Sequence, residues 1–332
     1  MTAPITQLPL GLKRCRRAAV VLVAVLALAL ATSHHAAAAD QLRVAKGASR
    51  AFSFMILDVG IAAGIFKNHD LDIDASSIDG AARLHQAMVA NSIDIALGAG
   101  TDIAFIAKGS PEKGVGVMAT EPLNMALIVR ADEPINSEAD LKAKIIGVTT
   151  VGSLTDWFAR QINYREGWKD ADAAKIAALG SADGTRAALL SGNIDALVGS
   201  LEGGLTLEAD HRARVLFPFG DFVKPFITHA IYATDTLIAQ NPDALRRFLK
   251  AWYETVAFAK SHKADTVRVI RPLLNAPDPV IEKIFDVEMP MFPTDGHYDA
   301  QALKVVVQSL VDTGQMDAST DVSRLINEKF LN

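Results

Sequence analysis

The chain has 332 residues, of which 50% are hydrophobic, and it carries 33 lysines and arginines against 38 aspartates and glutamates. The resulting formal net charge of −5 at pH 7 makes nucleic acids and anionic membranes poor partners, so we expect no nucleic-acid binding. The single cysteine, Cys15, precedes the apolar run of the amino terminus, so the chain beyond that run can form neither a disulfide nor a cysteine-ligated metal site.

The first 39 residues have the three parts of a secretory signal peptide. Four basic residues between positions 13 and 17 precede an apolar run over residues 18–31, and the small residues 36–39 follow. The run is shorter than the roughly 20 residues that a helix needs to cross a bilayer, which disfavours a retained membrane anchor. We therefore predict export and cleavage between Ala39 and Asp40.

Beyond the signal peptide, short apolar strands alternate with amphipathic helices. Residues 42–45 read as a strand, apolar residues from Met55 to Phe66 recur at helical spacing, and the apolar stretch 93–97 reads as another strand. This alternation predicts an α/β fold with mostly parallel sheets.

The same order of elements returns farther along the chain. Residues 144–148 repeat the strand at 43–47 after an offset of 101 positions, and residues 188–195 repeat the helix-to-strand passage 87–94 at the same offset. Two lobes of one architecture are the prediction, and chance similarity between two strand-helix-strand units is the alternative. Beyond residue 230 the pattern is helical only, which predicts a helical carboxy-terminal extension.

Four pairs of short motifs follow one another in order along these repeats. They are Gly-Ile-Phe-Lys at 64–67 with Leu-Asp-Ile at 71–73, Gln-Ala-Met at 86–88 with Ile-Asp-Ile at 93–95, Asp-Leu-Lys at 140–142 with Ile-Ile-Gly-Val at 145–148, and Ala-Leu at 188–189 with Gly-Asn-Ile-Asp-Ala at 192–196. Together they resemble the nitrate/sulfonate/taurine and thiamine-precursor group of ABC-transporter solute-binding proteins over most of residues 42–262.

This resemblance implies the type 2 periplasmic binding fold, in which two similar α/β lobes are joined by two crossing segments and hold the ligand between them. The crossings would lie near residues 125–134 and 225–235. The resemblance implies a signal peptide at residues 1–39. The first lobe would contain residues 40–128 and 230–332, and the second lobe would contain residues 129–229.

The same resemblance implies a periplasmic protein that captures a small polar organic solute, of the sulfonate, taurine-like or pyrimidine-like kind. It would deliver this solute to the permease of an ABC importer in the inner membrane, as a monomer with no catalytic role and no cofactor. Two alternatives stay open: an enzyme on the same fold, similar to the thiamine-pyrimidine synthases, and a sensory partner that presents its ligand to a membrane receptor. Known covalent enzymes of this fold rely on cysteines, which the chain lacks beyond Cys15.

Candidate ligand contacts follow from the rule that ligands of an open α/β sheet collect beyond the carboxyl ends of its strands. Five loops satisfy the rule, at residues 49–52, 100–102, 121–124, 152–155 and 200–203. The residues that we select from these loops and their flanks are Ser49, Arg50, Phe52, Gly100, Thr101, Asp102, Glu121, Asn124, Gly152, Ser153, Thr155, Trp157 and Glu202.

The residue types divide the expected site by charge. The loop at 152–155 opens a helix, so its amides and partial positive dipole suit an acceptor group on the ligand, although Ser153 would also cap that helix. Asp102 and Glu121 suit a donor group, or else serve as helix caps and solvated strand ends. Arg50 would pair with a ligand anion or with a surface acid. A polar ligand with both donor and acceptor groups is therefore the prediction.

Phe52 and Trp157 are the two aromatic candidates. They would form walls of the pocket, or would belong to the core, as aromatic residues at helical spacing more often do. A metal site is not expected, because the histidines beyond the signal peptide are scattered without a paired spacing. The acidic run at 70–74 departs from a calcium loop at its sixth position, which is Ala75 instead of glycine.

Overall fold

The computed structural model describes residues 39–274 and 276–331. All but the last residue of the predicted signal peptide, including Cys15, lie outside the described residues, so export and cleavage stay predictions. Within the described ranges, no helix is both long enough and apolar enough to cross a membrane.

Ten strands of the described chain form two five-stranded sheets. The first sheet contains β1 (Asp40–Lys46), β2 (Leu71–Ser77), β3 (Ile95–Ala99), β4 (Glu112–Thr120) and β10 (Ile227–Thr234). The second sheet contains β5 (Met125–Arg130), β6 (Ile145–Val148), β7 (Lys175–Ala178), β8 (Ala196–Ser200) and β9 (Ala213–Pro218). Each sheet is the centre of one lobe.

The two sheets share one topology. Their strand orders are β2-β1-β3-β10-β4 and β7-β6-β8-β5-β9. In each sheet four strands run in one direction, and one strand, β10 or β5, runs against its neighbours. The equivalent strands β3 and β8, at 95–99 and 196–200, are 101 positions apart. The predicted α/β fold with two similar, mostly parallel lobes is therefore confirmed.

The chain passes between the sheets at residues 121–124, which join β4 to β5, and at residues 219–226, which join β9 to β10. The crossings predicted at 125–134 and 225–235 are a few residues too late, because each short crossing continues directly into a largely buried apolar strand. All eight residues of β10 are buried. A division after residue 128 would cut β5, which pairs along its whole length within the second sheet. The other lobe limits stay a prediction.

Twelve α-helices belong to the described chain. Those that precede the extension are α1 (Phe52–Ala62), α2 (Ile65–Asn68), α3 (Ala81–Val89), α4 (Ile103–Ala107), α5 (Leu154–Glu166), α6 (Ala182–Leu190), α7 (Leu201–Ala209) and α8 (Asp235–Gln240). Those of the extension are α9 (Pro242–Ser261), α10 (Lys263–Leu274), α11 (Asp278–Glu288) and α12 (Ala300–Asp312).

The predicted helical extension is confirmed, and local chemistry explains where it begins. The Asn241 side chain accepts a hydrogen bond from the Ala244 amide at 3.1 Å, and Pro242 takes the first helical position, where no amide donor is needed. Phe248 and Trp252 of α9 are fully buried, and α9 packs against α1. Farther on, α11 contacts both α1 and α7, so the extension touches both lobes.

Replacing Asn241 by alanine removes the side-chain cap of α9 and a 3.0 Å hydrogen bond to Asp40. We expect the free energy of unfolding to fall by about 0.5–2 kcal/mol, as measured by urea denaturation. Gln240→Ala, at the exposed position before the cap, is the matched control and should change stability by less than about 0.5 kcal/mol. Equal stabilities of the two variants would contradict the capping role.

Candidate functional site

Loops at the carboxyl ends of the two sheets meet in two places. At the first, the Phe52 amide at the start of α1 donates to Glu202 Oε1, in the first turn of α7, at 3.0 Å. At the second, Thr101 in the turn after β3 surrounds one crevice together with Gly152 and Ser153 at the start of α5. In the repeat, α1 corresponds to α5, and the turn after β3 corresponds to the start of α7. The two contacts are therefore equivalent, and we call the region between them the cleft.

A pocket of about 170 Å³ opens in the second lobe at the carboxyl ends of β6 and β8. Its apolar lining includes Met125, Ile128, Leu197 and Leu207, and we call this part the floor. Its polar lining includes Thr149, Thr155, Ser200 and Arg186, and we call this part the rim. We refer to this space as the second-lobe pocket.

Three helices begin at the rim of the second-lobe pocket. Thr155 lies in the first turn of α5, Ala182 is the first residue of α6, and Ser200 caps α7. The partial positive charge of helix amino termini favours an anion or an acceptor group. Among the described residues, Arg186 is the one charged side chain that lines this pocket, and it also pairs with Asp183 at 2.6 Å. The rim thus suits the acceptor end of a ligand, and the floor suits an apolar body.

Three hydroxyl groups before and within the first turn of α5 form a connected network. Thr149 Oγ1 lies 3.0 Å from Thr155 Oγ1 and 3.2 Å from Ser153 Oγ, and the latter two oxygens are 2.8 Å apart. Hydroxyls both donate and accept, so this network can direct a donor toward a bound acceptor by rotating its hydrogens. The Ser153 hydroxyl also accepts from the Asp156 amide at 3.3 Å, which confirms the predicted helix cap.

Two amides that were expected to face a ligand at this loop already have partners. The Gly152 amide donates to Asp156 Oδ2 at 2.8 Å, and the Ser153 amide donates to the Thr150 carbonyl at 3.2 Å. The Asp156 carboxylate therefore binds the amide of Gly152, which lies one residue before the N-cap residue Ser153. What this loop can offer to a ligand is therefore its hydroxyl network, and not these two amides.

A group of buried polar side chains lies where α1 meets α7. Glu202 is 8% exposed, and Glu288 at the end of α11 is fully buried. The Asn124 side-chain amide donates to the Ser53 hydroxyl at 3.4 Å. Burial raises the pKa of Glu202, and burial together with the Glu202 carboxyl raises the pKa of Glu288 well above its ordinary value. We call Ser53, Asn124, Glu202 and Glu288 the acid cluster.

A different buried cluster holds the turn after β3. The two ring nitrogens of His85 lie 3.1 Å from Asp102 Oδ2 and 2.9 Å from Glu112 Oε1. Burial alone would lower the pKa of His85, but its hydrogen bonds with the two carboxylates outweigh burial and raise that pKa to about 9. Asp102 Oδ2 also accepts from the Ala99 amide at 2.9 Å. Asp102 therefore faces inward and shapes its own turn, and it does not line the second-lobe pocket.

Three further candidates lie on the cleft loops with little burial. The Ser49 amide and hydroxyl bind the Asp79 carboxylate at 2.7 Å and 3.2 Å, which pins the loop before α1. Arg50 is exposed and makes no ion pair with any residue of the described chain. Glu121 pairs with Lys224 at 3.3 Å, so this ion pair joins the two crossing segments.

The two aromatic candidates are buried side chains. Phe52 is fully buried, and its ring packs edge-on against Phe285 and Phe292 with ring centroids 6.2 Å and 6.0 Å apart. Trp157 is 5% exposed and stacks on Phe226 with centroids 5.6 Å apart. Neither side chain lines the second-lobe pocket, but Trp157 also borders the crevice that Thr101 forms with Gly152 and Ser153. Burial therefore favours the core alternative for Phe52, whereas a wall role for Trp157 stays a prediction.

Gly100 serves a close backbone approach. A Cβ atom at this position would lie 2.0 Å from the carbonyl oxygen of Ile227, the first residue of β10. Only glycine therefore allows the turn after β3 to pack against the strand that enters from the second crossing. The position shapes the cleft without offering a side chain to a ligand.

Some residues of the site were missed in the sequence. Thr149 follows β6 directly, just before the selected loop 152–155, and Ser200 opens the selected loop 200–203 but was not chosen from it. Arg186 lies within α6 and Glu288 lies at the end of α11, far along the chain from any strand end. Nothing in their local sequence indicates that helix packing brings them to the cleft.

The His85 cluster makes stability depend on pH. The pKa of His85 is raised on folding, so its contribution is fully present below the ordinary value of 6.5 and is lost as the pH rises through about 9. We expect His85→Gln to lower the free energy of unfolding by about 3–5 kcal/mol at pH 6, the scale for breaking a buried ion pair, and by clearly less at pH 9. Chemical denaturation at both pH values checks this, with the exposed His262→Gln as control. A loss of unfolding free energy that is the same at both pH values would contradict this prediction.

The chain has recognisable relatives by sequence pattern and by fold. A family model described as NMT1/THI5 like matches residues 51–265, a span that contains both crossing segments and every strand of the second sheet. Among curated proteins, none matches the chain.

Solved structures share the whole architecture at low sequence identity. The periplasmic aliphatic sulphonate binding protein SsuA from Escherichia coli is 19% identical, with 87% of this chain and 92% of that chain covered at a TM-score of 0.71. The alkanesulfonate-binding protein SsuA from Xanthomonas axonopodis pv. citri, bound to MOPS, is 17% identical, with coverages of 87% and 96% and a TM-score of 0.69. A mutant of the desulfurization enzyme DszB, in complex with biphenyl-2-sulfinic acid, is 16% identical, with coverages of 89% and 98% and a TM-score of 0.69. At these identities the likeness shows the fold alone.

Proposed function

The chain belongs to the NMT1/THI5-like family, and from this premise we propose that it captures a small polar organic solute in the periplasm and delivers it to the permease of an ABC importer. Two structures of the same fold are sulfonate-binding proteins, one of them named as periplasmic. The predicted signal peptide would bring this chain to the same compartment.

The second-lobe pocket is the observation that carries the proposal. It lies at the carboxyl ends of two strands, where open α/β sheets bind their ligands, and three helices begin at its rim. A sulfonate head would accept hydrogen bonds from Thr149 and Thr155 and would face Arg186. Its short hydrocarbon body would cover the apolar floor, which a bare nitrate ion would leave empty. The small volume restricts the solute to one of few atoms beyond its head, such as an alkanesulfonate or a taurine-like compound.

The first lobe would complete the site when the lobes close. The crossing segments 121–124 and 219–226 serve as hinges in this proposal, because every other connection between the lobes is a non-covalent contact. Arg50 and Thr101 stand on first-lobe loops that face the second lobe, and Glu121 stands at a hinge. A solute that also carries an amine or a ring nitrogen would direct that donor toward Glu121, which agrees with a ligand bearing both kinds of group.

A thermal-shift screen tests the proposed capture directly. The panel consists of ethanesulfonate, butanesulfonate, taurine, an aminopyrimidine and sodium nitrate, each at millimolar concentration. A solute that binds only the native state raises the melting temperature by mass action, so we expect at least one organic solute of the panel to raise it, and nitrate to leave it unchanged. If no organic solute shifts the melting temperature, the proposed solute class is wrong. Chemical turnover of a bound solute would instead favour the alternative of an enzyme.

Removing one rim hydroxyl should weaken binding and leave the fold intact. Thr155→Val deletes a hydroxyl that faces the pocket, and we expect the solute found in the screen to lose about 1–3 kcal/mol of binding free energy by calorimetry. Thr155→Ser keeps the hydroxyl and is the matched control, so it should bind within about 0.5 kcal/mol of the unaltered protein. Undiminished affinity in Thr155→Val would place the ligand elsewhere.

A further inference from the structure

The acid cluster joins groups that come from both lobes. Glu202 lies in the first turn of α7, which packs on β9 of the second sheet, and its Oε1 accepts from the Phe52 amide at the start of α1. Glu288 ends α11, a helix of the extension that contacts α1 and α7. Ser53 follows Phe52 on α1, and Asn124 lies on the first crossing segment. The cluster is therefore part of the interface along which the lobes touch.

Neither carboxyl group has a basic partner within the described residues. The charged groups on the elements that pack around the cluster are satisfied elsewhere, in the pairs Asp58 with Lys46, Glu208 with Lys283, Asp286 with Lys263, Asp278 with Arg271, and Glu121 with Lys224. Exposed groups on the same elements and on the loop before α1, Glu282 and Arg50, point to solvent. No cation of the described chain therefore neutralises Glu202 or Glu288.

The hydrogen bonding of the cluster is incomplete for ionised acids. Glu202 Oε2, both carboxyl oxygens of Glu288 and Asn124 Oδ1 are buried without a well-formed hydrogen bond. The hydroxyls of Ser200 and Ser53 lie beside Glu202 and Glu288 and lower their pKa values, but burial outweighs them and both pKa values are raised. An ionised carboxylate can only accept, whereas a protonated one supplies a hydroxyl donor that one of these acceptors can use. Two adjacent buried carboxylates without a cation would repel each other in a medium of low dielectric constant. The protonated form is the one that fits this interface.

We propose that Glu202 and Glu288 form a proton-dependent latch, which holds the lobes closed when the two carboxyl groups are protonated and releases them when both groups ionise. Opening at the hinges would draw Glu202 away from Glu288 and from the Phe52 amide, and would admit water to both acids. The closed state then binds more protons than the open state. The closing motion belongs to the proposed function, but the latch itself needs no ligand.

The direction of the pH effect follows from this difference in bound protons. Burial raises the pKa of both acids in the closed state above the ordinary value of 4.5, while in the open state they would return toward that value. Raising the pH above 4.5 therefore favours the open state progressively, until the acids are ionised in both states. Low pH favours closure, and a solute that binds the closed state would bind more weakly as the pH rises.

Small-angle X-ray scattering of the purified, ligand-free protein between pH 5 and pH 9 tests the latch. We expect the radius of gyration to increase with pH, and the variant Glu202→Gln with Glu288→Gln, which keeps both positions neutral, to retain its low-pH value throughout. Glu282→Gln on the exposed face of α11 is the matched control and should open like the unaltered protein. A radius of gyration that does not change with pH, or a double variant that opens as the unaltered protein does, would overturn the proposal.

A thermal melting curve of a single variant tests the latch even if the double variant folds poorly. Glu288→Gln alone removes one ionisation from the buried interface, so its melting temperature should exceed that of the unaltered protein at pH 8 and match it at pH 5. A melting temperature that stays below that of the unaltered protein at both pH values would show that Glu288 is needed for packing and not as a proton site. Neither experiment uses a solute. The latch can therefore be refuted while the proposed solute capture stands, and solute capture can be refuted while the latch stands.

Discussion

Each lobe is built around a strand that the chain supplies from the other lobe, and the rest of the structure depends on this exchange. After the first crossing, β5 pairs antiparallel with β8 and β9, and after the second crossing β10 pairs antiparallel with β3 and β4. Neither sheet is complete without its inserted strand. In this arrangement the loop after β1 meets the loop after β8, and the loop after β3 meets the loop after β6.

The two chemical features of the cleft share the first turn of α7. Ser200 belongs to the rim of the second-lobe pocket, while Glu202, two residues later, belongs to the acid cluster between the lobes. A ligand head at the rim and a proton on the cluster would therefore act on the same turn of one helix. The second lobe would supply recognition through hydroxyls, helix termini and Arg186, and the contact between the lobes would supply the control of closure. The His85 cluster contributes by keeping the turn after β3 in place.

The parts of the fold that the sequence predicts are those with a local or periodic signal. The repeat at 101 positions and the helical pattern beyond residue 230 were visible because strands and helix stripes depend on neighbouring residues. The crossing segments were predicted a few residues too late along the chain. A buried strand is a continuous apolar run, so the sequence does not show where a short crossing segment ends and the strand begins. Of the predicted site residues, Thr155 lines the pocket, whereas Glu202 and Asn124 join the acid cluster. Glu288 could not be found, because only tertiary packing of the extension brings it to Glu202.

The central claim is that a small solute is held at the carboxyl ends of both sheets. Hydrogen–deuterium exchange with and without saturating organic solute from the thermal-shift panel tests this claim most directly, because it reports on each backbone segment separately. We expect slower exchange in the segments 149–155 and 199–203 of the second lobe and in the facing segments 49–52 and 99–102 of the first lobe. Slower exchange confined to other segments, or to one lobe only, would contradict capture between the lobes.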